Sequence, residues 1–208
     1  MCVLDAHPDT VTLADGARID VRPLKPGDEQ LVEGLYERMS PESRRRRFLV
    51  APPALSPEDL QRLTDVDHRR HEALLALDSE TGLAVGEARY VRVPGNAETA
   101  EVAAMVADDW QRRGVATALL GELTERARAN GIRRYTAVVA VDNEPVLQAL
   151  ERQGAQRTTT DPHEVELELE LPSSGLPERL ESALRWAGNR QLRLLGHLAR
   201  RVASWSPR

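Results

Sequence analysis

The segment Gln111-Arg112-Arg113-Gly114-Val115-Ala116-Thr117 constrains this chain more than any other. It lies between an apolar run, Thr99–Val106, and a periodic segment over 114–130, where Ala116, Leu120, Leu123 and Ala127 fall on one helical face. A strand that enters a helix through a glycine and a small residue two apart lets its backbone approach a ligand closely. The unpaired amides of the helix's first turn, at the positive end of the dipole, then make an anion site that suits pyrophosphate. Arg112 and Arg113 add positive charge. The segment is neither a Walker loop, since no Gly-Lys-Ser/Thr follows, nor a Rossmann Gly-x-Gly-x-x-Gly.

Strand and helix signals alternate around it. Short alternating segments over 11–23 flank Asp15-Gly16, a hairpin signal, and Pro23 and Pro26 stop the second strand. Leu31, Leu35 and Met39 repeat every four residues and predict a helix over 27–39. Ser40-Pro41 and Ser56-Pro57 each place a serine cap before a proline at the first helical position. They predict two further helix starts, the second helix running to about Thr64. Runs over 71–77, 83–93 and Thr99–Val106, separated by turn residues, predict a meander of three antiparallel strands. The long helix closes at Asn130-Gly131. A strand over 135–141 follows, then a helix over 143–153. Residues 165–171 alternate Val165, Leu167, Leu169 and Leu171 with glutamates, which predicts a strand with one face in water.

That order predicts an α/β fold, a mixed and mostly antiparallel sheet flanked by helices. Beyond the linker Pro172-Ser173-Ser174-Gly175, apolar residues spaced by three and four predict a C-terminal amphipathic helix. The expected division is an N-terminal segment 1–16, a domain over 17–172 and a basic amphipathic helix over 173–208.

Composition excludes several classes. Cys2 is the sole cysteine, so neither a disulfide scaffold nor a cysteine zinc site is expected. His7, His68, His71, His163 and His197 show no ligand spacing, so no metal is expected. No apolar run approaches the roughly 18 residues of a membrane span, and the N-terminus lacks a signal-peptide pattern; a cytoplasmic location is expected. Residues 173–208 carry a net +5, which leaves −10 on 1–172 out of the formal −5. An acidic body speaks against nucleic-acid binding. The tail's apolar stripe must dock on its own domain, across a homodimer or on an anionic membrane.

Gln-x-x-Gly-x-Ala after a strand and opening a helix resembles the acyl-CoA pyrophosphate loop of the GNAT superfamily of N-acetyltransferases, and the element order resembles the GNAT fold. Arg22-Pro23-Leu24, Ser40-Pro41-Glu42-Ser43 with Arg47-Phe48, residues 67–75 and Ala100-Glu101-Val102-Ala103 resemble the catalytic domain of bacterial protein lysine acetyltransferases of the Pat type. In that type the domain is joined to cyclic-nucleotide-binding, amino-acid-binding or acyl-CoA-synthetase-like domains; here the catalytic module alone is expected.

The resemblance implies acetyl-CoA as cosubstrate. Gln111 and the amides from Arg112 through Arg113, Gly114, Val115 and Ala116 to Thr117 would hold the pyrophosphate, and the backbone of Met105 and Val106 would pair with the pantetheine arm. Asn143 would contact the same arm, cap the next helix, or do both. The acceptor amine must lose a proton as it attacks the thioester, and a carboxylate in a partly apolar site can take it. The resemblance gives that role to Glu101, whose sequence neighbours are uncharged; the alternative is a glutamate on a solvent face. Glu87 is the reserve, or the ion-pair partner of an arginine. Where many relatives carry a tyrosine as general acid stands Leu150, so no acid is assigned; Tyr90 and Tyr135 are expected in the core or sheet. Arg44 to Arg47 are expected on a solvated face, paired with nearby acids, or near the acceptor or the CoA 3′-phosphate. The implied acceptor is a protein lysine. A small-molecule amine, or a non-catalytic module that senses acyl-CoA, are the alternatives.

Overall fold

Two backbone hydrogen bonds, from Leu13 to the Ala17 carbonyl and from Gly16 to the Leu13 carbonyl, fold β1 (Asp9–Thr12) onto β2 (Arg18–Pro23). Gly16 sits at φ +86°, the left-handed conformation such a reversal needs. The computed structural model describes residues 9–47, 53–152 and 154–171. After β2 come three helices, α1 (Glu29–Glu37), α2 (Pro41–Arg47) and α3 (Pro57–Thr64). The Ser56 hydroxyl accepts from the Asp59 amide at 3.1 Å and the Asp59 carboxylate accepts from the Ser56 amide at 3.2 Å, so α3 starts where its cap was read. Ser40 plays the same part for α2, its hydroxyl taking the Ser43 amide at 3.2 Å.

The expected meander is present as β3 (His71–Asp78), β4 (Ala84–Arg92) and β5 (Thr99–Val106). Then follow α4 (Val115–Ala129), β6 (Arg134–Ala140), α5 (Glu144–Arg152), β7 (Gln156–Thr160) and β8 (Glu164–Glu170). The strands form one eight-stranded sheet in the order β1-β2-β3-β4-β5-β6-β8-β7. Every pairing is antiparallel except β5 with β6, whose parallel relation requires a crossover; α4 supplies it. The sheet is therefore mixed and mostly antiparallel, with helices on both faces. The sequence reading omitted β7. The strand is short and polar, Gln-Arg-Thr-Thr-Thr, and as an edge strand beside β8 it shows no apolar alternation. The C-terminal helix read over 173–208, Cys2 and Phe48 lie outside the described residues.

Strand register sorts the side chains by face. Tyr90, Gly86 and Tyr135 face α4; the Tyr135 hydroxyl donates to the Leu123 carbonyl at 3.3 Å. A Cβ added to Gly86 would lie 2.7 Å from Val115 Cγ1 and 2.9 Å from Leu119 Cδ1, so only glycine lets α4 lie this close to β4. The opposite face carries His71, Glu87, Arg89, Glu101 and Met105. It is the face of α1 to α3, since Arg89 reaches the Leu63 carbonyl of α3 and α1 packs on α3.

Candidate active site

The strand-to-helix passage is made of backbone. After β5 ends at Val106, a single 3-10 turn, Asp108–Trp110, leads into a loop where Arg112 and Gly114 take φ +62° and +102°. Glycine adopts this conformation freely, whereas a non-glycine residue rarely does. Gly114 caps α4 without a side chain, and the first bond inside the helix runs from the Ala118 amide to the Gly114 carbonyl at 3.0 Å. The amides of Val115, Ala116 and Thr117 belong to the helix's orphan first turn.

The loop's side chains brace it. Gln111 Nε2 donates to Asp108 Oδ1 at 2.9 Å and lies 3.4 Å from Ser43 Oγ of α2. Arg113 stacks on the Trp110 ring, 3.9 Å from its centroid, and pairs with Asp15 of the first hairpin. The Ala17 amide and Arg113 together hold the Asp15 carboxyl below its ordinary range. Arg38, after α1, pairs with Asp109 at 2.7 Å, and Asp108 accepts from the Ser40 amide at 3.2 Å. Arg112 is exposed. Thr117 Oγ1 is buried in the same turn with no protein partner. A cradle of first-turn amides, an exposed arginine, a small Ala116 and an unsatisfied hydroxyl is chemistry suited to an anion.

Beside this loop the sheet divides. The β5–β6 ladder runs from Thr99 and Arg134 to Glu101 and Thr136 and stops there. Beyond it β6 follows β8 to Ala140, while β5 continues along β4 as far as Val106. Met105 and Val106 lie on this outer stretch of β5 with buried side chains. Asn143 is fully buried directly before α5, and its carbonyl accepts from the Val146 and Leu147 amides.

Glu101 stands at the last rung of that ladder, 5% exposed. Its sequence neighbours are uncharged, but register brings charges to its face. Val91 is its cross-strand partner on β4, and Arg89 is the next residue along that face. Arg89 is fully buried. Its Nε donates to Glu87 at 2.5 Å and its Nη1 to the Leu63 carbonyl at 3.1 Å, while Nη1 and His71 Nε2 lie 3.2 Å apart. Burial first, and then the Arg89 charge, push His71 down to about 3, so the ring is neutral near pH 7 and accepts from Arg89. Glu87 is thus an arginine's ion-pair partner. Tyr90 and Tyr135 are core residues as read: burial raises both hydroxyls, and Tyr90 accepts from Asn130 Nδ2 at 2.8 Å. Leu150 is buried. Arg44 is structural, donating to the carbonyls of Tyr36, Glu37 and Pro53.

The profile of the acetyltransferase (GNAT) domain matches residues 18–156. The chain belongs to the GNAT acetyltransferase family. GNAT acetyltransferases use acetyl-CoA. The chain is 34% identical over 167 residues to acetyltransferase Pat of Mycolicibacterium smegmatis, a match covering 79% of this chain and 49% of Pat. The chain thus spans about half the length of that relative. It is also 34% identical over 134 residues to acetyltransferase PA5475 of Pseudomonas aeruginosa, covering 64% of this chain and 72% of that protein. Among solved structures, the GNAT domain of S. lividans PAT superposes with a TM-score of 0.71 at 32% identity, covering 79% of this chain and 97% of that one. Within the GNAT family the chain is therefore related to Pat-type acetyltransferases. Among the described residues no group of His, Cys, Asp or Glu could hold a metal ion, and no helix is long and apolar enough to cross a membrane.

Four residues of the site escaped the sequence reading. Asp15 and Asp108 brace the loop across distances that only the fold closes. Gly86 carried one available signal, a glycine inside a strand. Arg89 was visible as a charged residue in an apolar strand, but its partners required the register.

Proposed function

We propose that this domain transfers the acetyl group of acetyl-CoA to a protein lysine by direct attack, with Glu101 as general base. The lysine nitrogen attacks the thioester carbonyl carbon and its N–H proton passes to the Glu101 carboxylate, directly or through a water. The C–S bond then breaks, and the CoA thiolate takes a proton from solvent. The amides from Arg112 to Thr117 hold the pyrophosphate, and the outer backbone of Met105 and Val106 aligns the pantetheine arm. Asn143 borders that arm while capping α5. The observation that carries this reading is the position of Glu101: a buried carboxylate at the rung where β5 and β6 part, on the strand that leads to the loop. Support for lysine as acceptor comes from the relation to Pat and from the acidic body, which suits a cationic acceptor.

Glu101→Gln keeps the side chain's shape and removes the proton acceptor. Loss of a general base typically costs about 10²–10⁴ in rate. The expected result is that loss with unchanged acetyl-CoA affinity by calorimetry, and partial recovery at high pH, where the amine deprotonates itself. A variant that turns over at wild-type speed at neutral pH places the base elsewhere. Comparing lysine-bearing proteins with polyamines and aminoglycosides as acceptors tests the substrate class.

A further inference from the structure

On the face of the sheet that carries Glu101, β4 holds two fully buried charges in contact, Glu87 and Arg89. Register places Arg89 opposite Ala73 on β3 and Ala103 on β5, so only small side chains flank it. Glu101 is two residues from Ala103, which makes Arg89 and Glu101 diagonal neighbours, about 7–8 Å apart by strand geometry. Glu87 pairs with Met105, a further two residues away. An arginine cannot lose its proton, so its field reaches Glu101 unless an anion in contact cancels it. Glu87 is the one carboxylate hydrogen-bonded to Arg89; its other contacts are the neutral Leu63 carbonyl and His71, and Nη2, though buried, has no protein partner.

Resting on the assignment of Glu101 as base, we propose that Glu87 and Arg89 are positioning residues of the acceptor site: Glu87 neutralises Arg89, so that Glu101 retains its capacity to take a proton and the site its attraction for a cationic amine. Other charged or titratable groups lie on the elements packed alongside. His71 of β3 is neutral near pH 7. Arg134 of β6 is 3.6 Å from Glu168 of β8. Glu42 and the four arginines Arg44 to Arg47 belong to α2, and Arg44 is committed to three carbonyls. Arg89 is a cation on Glu101's own face of the sheet, and Glu87 is its counter-charge.

The test is the acid limb of kcat/KM against pH, measured with a lysine peptide and acetyl-CoA. In Glu87→Gln the uncompensated Arg89 favours ionised Glu101, so the limb moves to lower pH by about one unit and KM for the cationic acceptor rises. In Arg89→Met the limb moves to higher pH. Glu87→Gln/Arg89→Met removes both charges of the pair, so it folds even where a single variant does not, and its limb returns to within a few tenths of wild type. A merely structural clamp would lower the melting temperature and kcat without moving the limb. Unshifted limbs in the folded single variants, or a double variant whose limb stays displaced, overturn the proposal. If Glu101→Gln is fully active, the base assignment itself fails; if Glu101→Gln is inactive while the limbs stay fixed, this inference alone fails.

Discussion

The proposed CoA loop and the proposed acceptor face lie toward the two ends of the same strand and are built from different materials. At the C-terminal end of β5, the loop is backbone geometry: left-handed Arg112 and Gly114, then the open first turn of α4. Of its charged side chains, Arg113 is taken up by Asp15 and Trp110 and Asp109 by Arg38, while Arg112 stays exposed. Further back along the same strand, the proposed acceptor face is buried side chains on three strands, His71, Glu87 with Arg89, and Glu101. A backbone site needs particular dihedral angles in one short segment. A side-chain site needs a register across several strands. The first tolerates most changes of side chain and fails when a dihedral is blocked; the second fails when one charge loses its counterpart.

The sharpest way to break this comparison at the loop is Gly114→Val. Space is not the obstacle, since the nearest atom to an added Cβ is Leu13 Cδ2 at 3.8 Å. The obstacle is φ +102°, which a β-branched residue adopts only at a cost on the order of 1–3 kcal/mol. The loop relaxes and the first-turn amides turn away. The affinity for acetyl-CoA is expected to fall by at least about tenfold, with the far-ultraviolet circular dichroism unchanged. Wild-type affinity by calorimetry would show that the left-handed turn is not what presents the amides.

The same contrast explains what the sequence disclosed. Backbone geometry is compressed into contiguous residues, so Gln111 to Thr117 marked the turn into α4. Caps are local too, and Ser40-Pro41 and Ser56-Pro57 marked their helices accurately. The acceptor face was only half legible. Glu101 is singled out by resemblance alone, and its uncharged sequence neighbours gave no hint of Arg89 across the sheet, because cross-strand contacts depend on pairing and not on spacing. β7 was invisible for a related reason: an exposed edge strand buries too little to impose alternation on its sequence.

His71 tests the side-chain half through stability. Buried and beside Arg89, it is held to about 3, while the unfolded chain takes up that proton near 6.5. Between those values the unfolded state binds the extra proton. The folded state therefore loses stability as pH falls from 6.5, by up to about 1.4 kcal/mol per pH unit. Asp67, lowered by the amides of the turn before β3, adds its own loss only below its ordinary value of 3.8. His71→Gln keeps an acceptor for Arg89 and cannot titrate. Its melting temperature should fall less than the wild type's between pH 6.5 and 4.5. Parallel curves for the two proteins would mean that His71 takes its proton in the folded state at an ordinary pH.

The smallest effect is expected at a side chain whose charge alone suits it to a phosphate. Arg113 flanks the loop, yet its guanidinium lies over Trp110 and its Nε donates to Asp15 at 2.5 Å. Both partners of that ion pair are partly solvent-exposed, and such pairs contribute about 0–1 kcal/mol. If the amides carry the pyrophosphate, Arg113→Ala and Asp15→Ala should each change acetyl-CoA affinity by at most about fivefold, far less than Gly114→Val. They should also leave its salt dependence nearly unaltered, since neither frees nor removes a charge that the ligand uses. Titration of both variants at low and high ionic strength decides this. A loss in Arg113→Ala that matches the loss in Gly114→Val, and that salt mimics in the wild type, would make the loop a side-chain site after all and erase its difference from the face around Glu101.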